Sequence, residues 1–190
     1  MTKYPTGRVT RAEYDKLIEL GVLGTDDHIE LIGGQLMVAE PQGAEHYTAV
    51  CKSTKTLEAA FGPGWVVRPE GPIGLDDESE PEPDIAVVPG GLEDYRLAHP
   101  SRPALTLEIS VSSLASDRRR KGSLYARAGL EDYWVLNLIR RVLEVYREPV
   151  PDAKARYGWR YARREVLGPS GRIAPLAAPA AIVAVADLLP

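Results

Sequence analysis

The sequence predicts an α/β fold, with helices flanking a mixed β-sheet and extra β-hairpins attached. Three observations predict it. Apolar runs of strand length interleave with stretches of helical period along the 190 residues. Short turn segments, Gly33-Gly34 and Ile139-Arg140-Arg141, separate consecutive strand-like runs and so mark hairpins at both ends of the chain. The composition, 44% hydrophobic and 26% charged, is that of a globular chain long enough to bury a core as one domain over residues 1–190.

In chain order, Thr10-Arg-Ala-Glu13 forms a capping box and Gly21 a stop, with Tyr14, Leu17 and Ile18 at helical spacing between them. A helix is expected over 11–20. Ile29 to Ile32 and Gln35 to Glu40 are expected strands. Gly43 to Phe61 carries the stripe His46, Val50, Ser53, Leu57 and Phe61, the mark of a second helix that Gly62-Pro63-Gly64 ends. Trp65 to Arg68, Ile73 to Leu75, Ile85 to Val88 and Ala104 to Ser110 are apolar enough for strands. Asp76 to Glu82 is acidic and proline-containing, so a solvated loop is expected. A turn of helix fits Leu92 to Tyr95. Asp117 is placed to cap a third helix, Arg118 to Ala128, which Gly129 stops. Tyr133 to Leu138 and Val142 to Arg147 then form a hairpin. Further strand pieces fall at Trp159 to Tyr161, Arg164 to Leu167 and Ile182 to Val185.

Several function classes are disfavoured. The net charge of −4 argues against a protein that coats nucleic acid non-specifically, which needs many phosphate contacts. The N-terminus has no apolar signal-peptide core, and the apolar segment from Ala174 to Leu189 is too short and too broken by proline to span a bilayer. A single cysteine, Cys51, permits no internal disulfide and fits a reducing cytoplasm. It has no ligand-spaced partner, so a small buried residue is expected there.

The informative stretch runs from Pro81 to Ser110. Asp84 and Glu108 each sit in a short apolar run, where an isolated carboxylate is costly unless a cation faces it. If the two strands are neighbours, the pair suits Mg²⁺ or Mn²⁺, which take one or two protein carboxylates and keep the remaining positions for water and phosphate. A lysine nearby would orient the attacking water or steady developing charge. The position two residues after the glutamate is Ser110, so Lys121 is the candidate. It shares a helical stripe with Leu124, Tyr125 and Ala128. Without a negative site, the same lysine would simply snorkel from an apolar face.

Pro83-Asp84, then Glu108, then a lysine resembles the PD-(D/E)XK restriction-endonuclease-like superfamily, and more closely its bacterial Uma-two family of endonucleases. The matching pieces include Glu30-Leu-Ile-Gly-Gly-Gln-Leu36, His46, Glu82-Pro-Asp84-Ile-Ala-Val-Val88, Leu107-Glu-Ile-Ser110 and Lys121-Gly-Ser-Leu-Tyr-Ala-Arg-Ala-Gly129. Glu131 to Leu136 and Arg141 to Tyr146 extend the match, which covers about residues 10 to 150 in order. Ser110 is the family's own residue, whereas Val111 stands where the family usually has proline. The resemblance implies a restriction-endonuclease-like core, with Asp84 and Glu108 as metal ligands and Lys121 as the catalytic lysine moved onto the helix. It also implies a nucleic-acid substrate, DNA before RNA, and a homodimer by analogy.

Three residues are accessory candidates. Glu30 is either a further acidic group near the metal or an outward strand residue paired with a base. His46 either contacts phosphate or transfers a proton, or is a hydrogen-bonded helix histidine. Tyr125, one turn after Lys121, suits packing better than chemistry. The segment Arg156 to Arg164 mixes basic and aromatic residues as a nucleic-acid platform does, yet Tyr157, Trp159 and Tyr161 alternate, which favours a strand with its aromatic face inward. The competing functions are a nuclease-like fold without catalysis, serving binding or regulation, and a metal-dependent hydrolase of another phosphoester.

Overall fold

The computed structural model describes residues 7–24, 27–38 and 42–190. Its elements in order are α1 (Arg11–Glu19), β1 (Ile29–Ile32), β2 (Gln35–Val38), α2 (Ala44–Phe61), β3 (Trp65–Pro69), β4 (Ile85–Pro89), a 3₁₀ turn (Leu92–Tyr95), β5 (Leu105–Ser110), α3 (Leu114–Ser116), a π-turn (Asp117–Lys121), α4 (Gly122–Arg127), β6 (Asp132–Asn137), β7 (Val142–Pro151), β8 (Trp159–Leu167), β9 (Arg172–Ile173), β10 (Val183–Ala184) and α5 (Val185–Leu188). The tail of the strand expected to Glu40, and the N-terminal residues read for a signal peptide, lie outside the described residues.

The main sheet has the order β3-β4-β5-β6-β7-β8. Only β5 and β6 run parallel; every other neighbouring pair is antiparallel, so the sheet is mixed. A parallel pair needs a crossover, and the helical run from α3 to α4 supplies it. Side-chain alternation divides β5 in two. Leu105, Leu107 and Ile109 face a core shared with Ala49, Val50, Leu57 and Phe61 of α2. Thr106, Glu108 and Ser110 face the other side, where Tyr125 and Ala126 of α4 pack with Tyr133 and Val135 of β6. Burial of each aliphatic core side chain contributes about 1.5–3 kcal/mol, which is what allows the strand to carry a carboxylate in its middle.

Some expectations are corrected. Ile73 to Leu75 joins no sheet; its N–H groups donate instead to Pro81, Pro100 and Ser79 carbonyls. The acidic stretch Asp76 to Glu82 is no solvated loop, because Ser79 and Glu80 are buried and Glu80 pairs with Leu31 of β1 through two backbone hydrogen bonds. Asp117 does not cap a helix. The helical run already begins at Leu114, and the Asp117 side chain accepts hydrogen bonds from Ser110 and Ser113. The pieces around Tyr161 and Leu167 form one continuous strand, β8, held by β7 along its length. Cys51 is half-buried rather than buried. The alternation in β8 holds at Tyr161, which is buried and stacks on Tyr133 with centroids 5.8 Å apart. No helix among the described residues is long and apolar enough to cross a membrane.

Candidate active site

Five elements (β5, α2, β1, the π-turn and α4) and the residue before β4 bring side chains to one place beside the C-terminal half of β5. β5 contributes Glu108, and the residue before β4 contributes Asp84. Asp84 Oδ2 accepts from the Ile109 backbone N–H at 2.6 Å, which ties the two carboxylate-bearing segments together. α2 supplies His46, whose Nε2 lies 3.2 Å from Asp84 Oδ1. The hairpin strand β1 supplies Glu30, whose Oε2 also accepts from the Glu82 N–H at 3.1 Å. The end of the π-turn supplies Lys121, with its Nζ 3.1 Å from Glu108 Oε2 and 3.3 Å from Glu30 Oε2. One helical turn later Tyr125 donates its hydroxyl to Glu108 Oε1 at 2.7 Å.

All six sequence candidates therefore lie together. Tyr125 does more than pack, because it is fully buried and still hydrogen-bonded to Glu108. Lys121 does not snorkel to solvent; it is 8% exposed and its ammonium is between two carboxylates.

The electrostatics are unbalanced. Glu30, Glu82, Asp84, Glu108 and Asp117 surround one buried lysine and one histidine. Burial pushes the Glu108 carboxyl well above the usual range, and Asp84, Asp117 and Glu30 push the same way; Lys121 opposes them without cancelling them. Burial likewise raises Asp117, against the hydrogen bonds from its two serines, and raises Glu82, with Glu30 adding to the effect. Burial pushes the Lys121 ammonium down, but Glu108, Glu30, Asp117 and Asp84 together outweigh it and hold it charged. His46 is raised in the same way, its desolvation outweighed chiefly by the Asp84 hydrogen bond.

A hard divalent cation fits this surplus of buried negative charge, and the donor set is all oxygen. Among the described residues no three His, Cys, Asp or Glu side chains form a ready-made metal cage. The fit is therefore to an ion that keeps most of its own waters, as Mg²⁺ does.

The sequence profile of the Uma-two family, described as "putative restriction endonuclease", matches residues 11–186. The chain belongs to the Uma-two family. A crystal structure from Anabaena variabilis ATCC 29413, described as a putative nuclease belonging to DUF820, superposes with a TM-score of 0.68 at 19% identity, covering 95% of this chain and 97% of that one. This Uma-two protein thus shares its fold with that chain. No curated protein matches it.

Asp117 and Ser110 were not legible as part of the site. Asp117 looks like a helix cap in sequence, because an acid ahead of an amphipathic run usually is one. The usable signal is Ser110 itself. A buried serine at the position where a lysine would be expected needs a partner, and Asp117 is that partner.

Proposed function

We propose that this Uma-two protein is a metal-dependent nuclease that hydrolyses phosphodiester bonds, with its 190 residues acting as one domain. Asp84 and Glu108 would hold Mg²⁺ or Mn²⁺. The bound ion supplies charge neutralisation at the phosphate and a more acidic water. Lys121, kept protonated between Glu108 and Glu30, stands ready to donate hydrogen bonds to a water or to a phosphate oxygen. Tyr125 and the Ile109 N–H fix the two carboxylates in rotation, so that little reorganisation is needed when substrate arrives. His46 orients Asp84 from the side opposite Ile109's hydrogen bond. DNA is the first substrate to test, RNA the second, and a homodimer would let both strands of a duplex be cut.

The observation that carries this reading is the buried Lys121–Glu108 ion pair within a cluster whose carboxylates outnumber its cations. The test is nicking of supercoiled plasmid with added Mg²⁺ or Mn²⁺. Nicking should require the metal and vanish in Asp84→Ala and in Glu108→Ala; nicking that survives both substitutions sinks the proposal.

A second reading, a nuclease-like module without catalysis, has one observation in its favour. Every carboxylate oxygen of Asp84 and Glu108 already accepts a protein hydrogen bond. Calorimetry separates the two: an Asp84-dependent Mn²⁺ site supports the nuclease, and absence of binding supports the module.

A further inference from the structure

A second cluster lies on the same face of the sheet as Glu108. The register places Glu108 opposite Val135, Val135 opposite Glu144, and Glu144 opposite Val166, one row across β5, β6, β7 and β8. Glu144 therefore lies two strands from Glu108, roughly 10 Å away at ordinary strand spacing. It is 1% exposed. Arg118 grips it with two guanidinium nitrogens, its Nε at 2.9 Å from Oε2. Arg164 approaches the same Oε2 at 3.1 Å, and the Tyr146 hydroxyl donates to it at 2.6 Å. The Arg164 guanidinium also lies over the Tyr146 ring, 5.8 Å from its centroid.

The arrangement leaves positive charge over. One carboxylate faces two guanidiniums, and burial of Glu144, which would raise it, is outweighed by Arg118, Tyr146 and Arg164, which keep it ionised. Both arginine side chains still reach solvent, at 31% and 46% exposure. Arg119 on the same π-turn is exposed as well. Arg118 is three residues from Lys121, so the turn that carries the candidate catalytic lysine also carries this arginine. The rest of the candidate site is acidic and the chain is net negative, so a phosphate backbone needs a local basic hold.

We infer that Arg118 and Arg164, clamped in place by the buried Glu144, form a backbone-phosphate contact for nucleic acid flanking the candidate active site. The clamp fixes two guanidinium forks that would otherwise lose side-chain entropy on binding, and forks of this kind match phosphate oxygens in pairs. Lysine in their place would keep the charge and lose the paired geometry.

The identity of the ligand rests on the nuclease reading, but the test measures binding alone. Fluorescence anisotropy in EDTA is read with labelled duplex DNA, single-stranded DNA and single-stranded RNA over a range of potassium chloride. The double variant Arg118→Ala/Arg164→Ala should bind the preferred probe on the order of tenfold more weakly, and its salt slope should fall by about 1 to 2, since each phosphate contact on duplex contributes roughly 0.9. Arg118→Lys/Arg164→Lys should fall between it and the wild type. Arg96→Ala/Arg102→Ala, which removes the same charge from exposed positions elsewhere, should leave the slope unchanged. A merely structural clamp would lower the melting temperature without moving the slope. An unchanged slope in the alanine pair, an equal loss in the control pair, or no binding to any probe by the wild type overturns the inference. Binding that depends on both arginines in a protein that never nicks DNA would sustain it while the nuclease reading fails.

Discussion

Lys121 reaches thirteen positions back along the chain to place its ammonium 3.1 Å from Glu108, and both residues are almost wholly buried. A buried pair of this kind adds little to stability when whole, because desolvation offsets attraction, but removing one partner strands the other. Lys121→Met should therefore cost about 3 kcal/mol in urea denaturation at about pH 8. Glu108 is already raised, and without Lys121 it rises further. The penalty is therefore largest above the raised value and shrinks as pH falls through it, and below the ordinary glutamate value of 4.5 Glu108 is neutral in both folded and unfolded chains. In nicking assays the same variant should lose activity while calorimetry still finds Mn²⁺ bound. Loss of metal binding together with activity would move Lys121 from the chemistry to the architecture.

Removing the opposite partner should have the reverse sign. The folded-state value of Glu108 is above its unfolded one, so its contribution is favourable below 4.5 and is lost as pH rises through the folded value. Glu108→Gln removes that loss and keeps an acceptor for the Tyr125 hydroxyl, while Lys121 retains Glu30. At about pH 8 in EDTA the variant should be more stable than wild type, by about 1 kcal/mol or more, with the advantage gone below the ordinary glutamate range. Chemical denaturation across pH reads this directly. A variant less stable than wild type at alkaline pH would mean that the cluster is not overcharged. Added Mn²⁺ should stabilise wild type and not the variant.

The fold and much of this site are legible in sequence for the same reason. Strands buried on both faces read as short apolar runs, and Glu108 stands out because it interrupts one while Asp84 stands directly before another. Glu30 and His46 join the candidate cluster only through long-range contacts, from β1 to Lys121 and from α2 to Asp84, which periodicity does not reveal. The π-turn leaves no sequence period to detect, and for that reason Asp117 looks like a cap. Glu144 and Asp132 lie in β-prone runs whose alternation hides a carboxylate, and the arginines that neutralise them come from distant positions.

Gly122 tests the π-turn. Its N–H donates to the Asp117 carbonyl five residues back, and the Tyr133 hydroxyl donates to the same oxygen at 3.0 Å. A Cβ on Gly122 would lie 3.2 Å from that carbonyl and 3.5 Å from the Tyr133 ring. The carbonyl is backbone and cannot swing aside. Gly122→Ala gains about 1 kcal/mol of helix propensity, so overall stability should change by less than about 1 kcal/mol. The gain favours ordinary α geometry, however, and closing the turn would rotate side chains after it by roughly 100° relative to α3, one residue's worth of helix. Nicking should fall at least tenfold with the melting temperature nearly unchanged. A fully active alanine variant would show that Lys121 does not depend on the wide turn.

Asp132 calibrates these effects at a place without candidate chemistry. It is fully buried at the start of β6, where Oδ1 accepts from Arg147 Nε at 2.7 Å and from Trp134 Nε1 at 2.8 Å. Its Oδ2 accepts from Arg147 Nη2 at 3.2 Å and from the Leu176 N–H at 2.8 Å. Arg147 also donates to the Ala174 carbonyl, so one carboxylate ties β6, β7 and the segment before β10 together. Asp132→Ala leaves a buried guanidinium and two N–H donors without their acceptor. The expected loss is about 3–5 kcal/mol, and with a total of about 5–15 kcal/mol for a domain of ordinary stability it should leave the protein close to unfolding. Asp132→Asn restores an acceptor but not the charge, and should recover part of the loss. Mn²⁺ binding to whatever fraction remains folded should keep its wild-type affinity, because Asp132 touches none of the candidate site residues. A folded, stable Asp132→Ala protein would contradict the role assigned to this carboxylate.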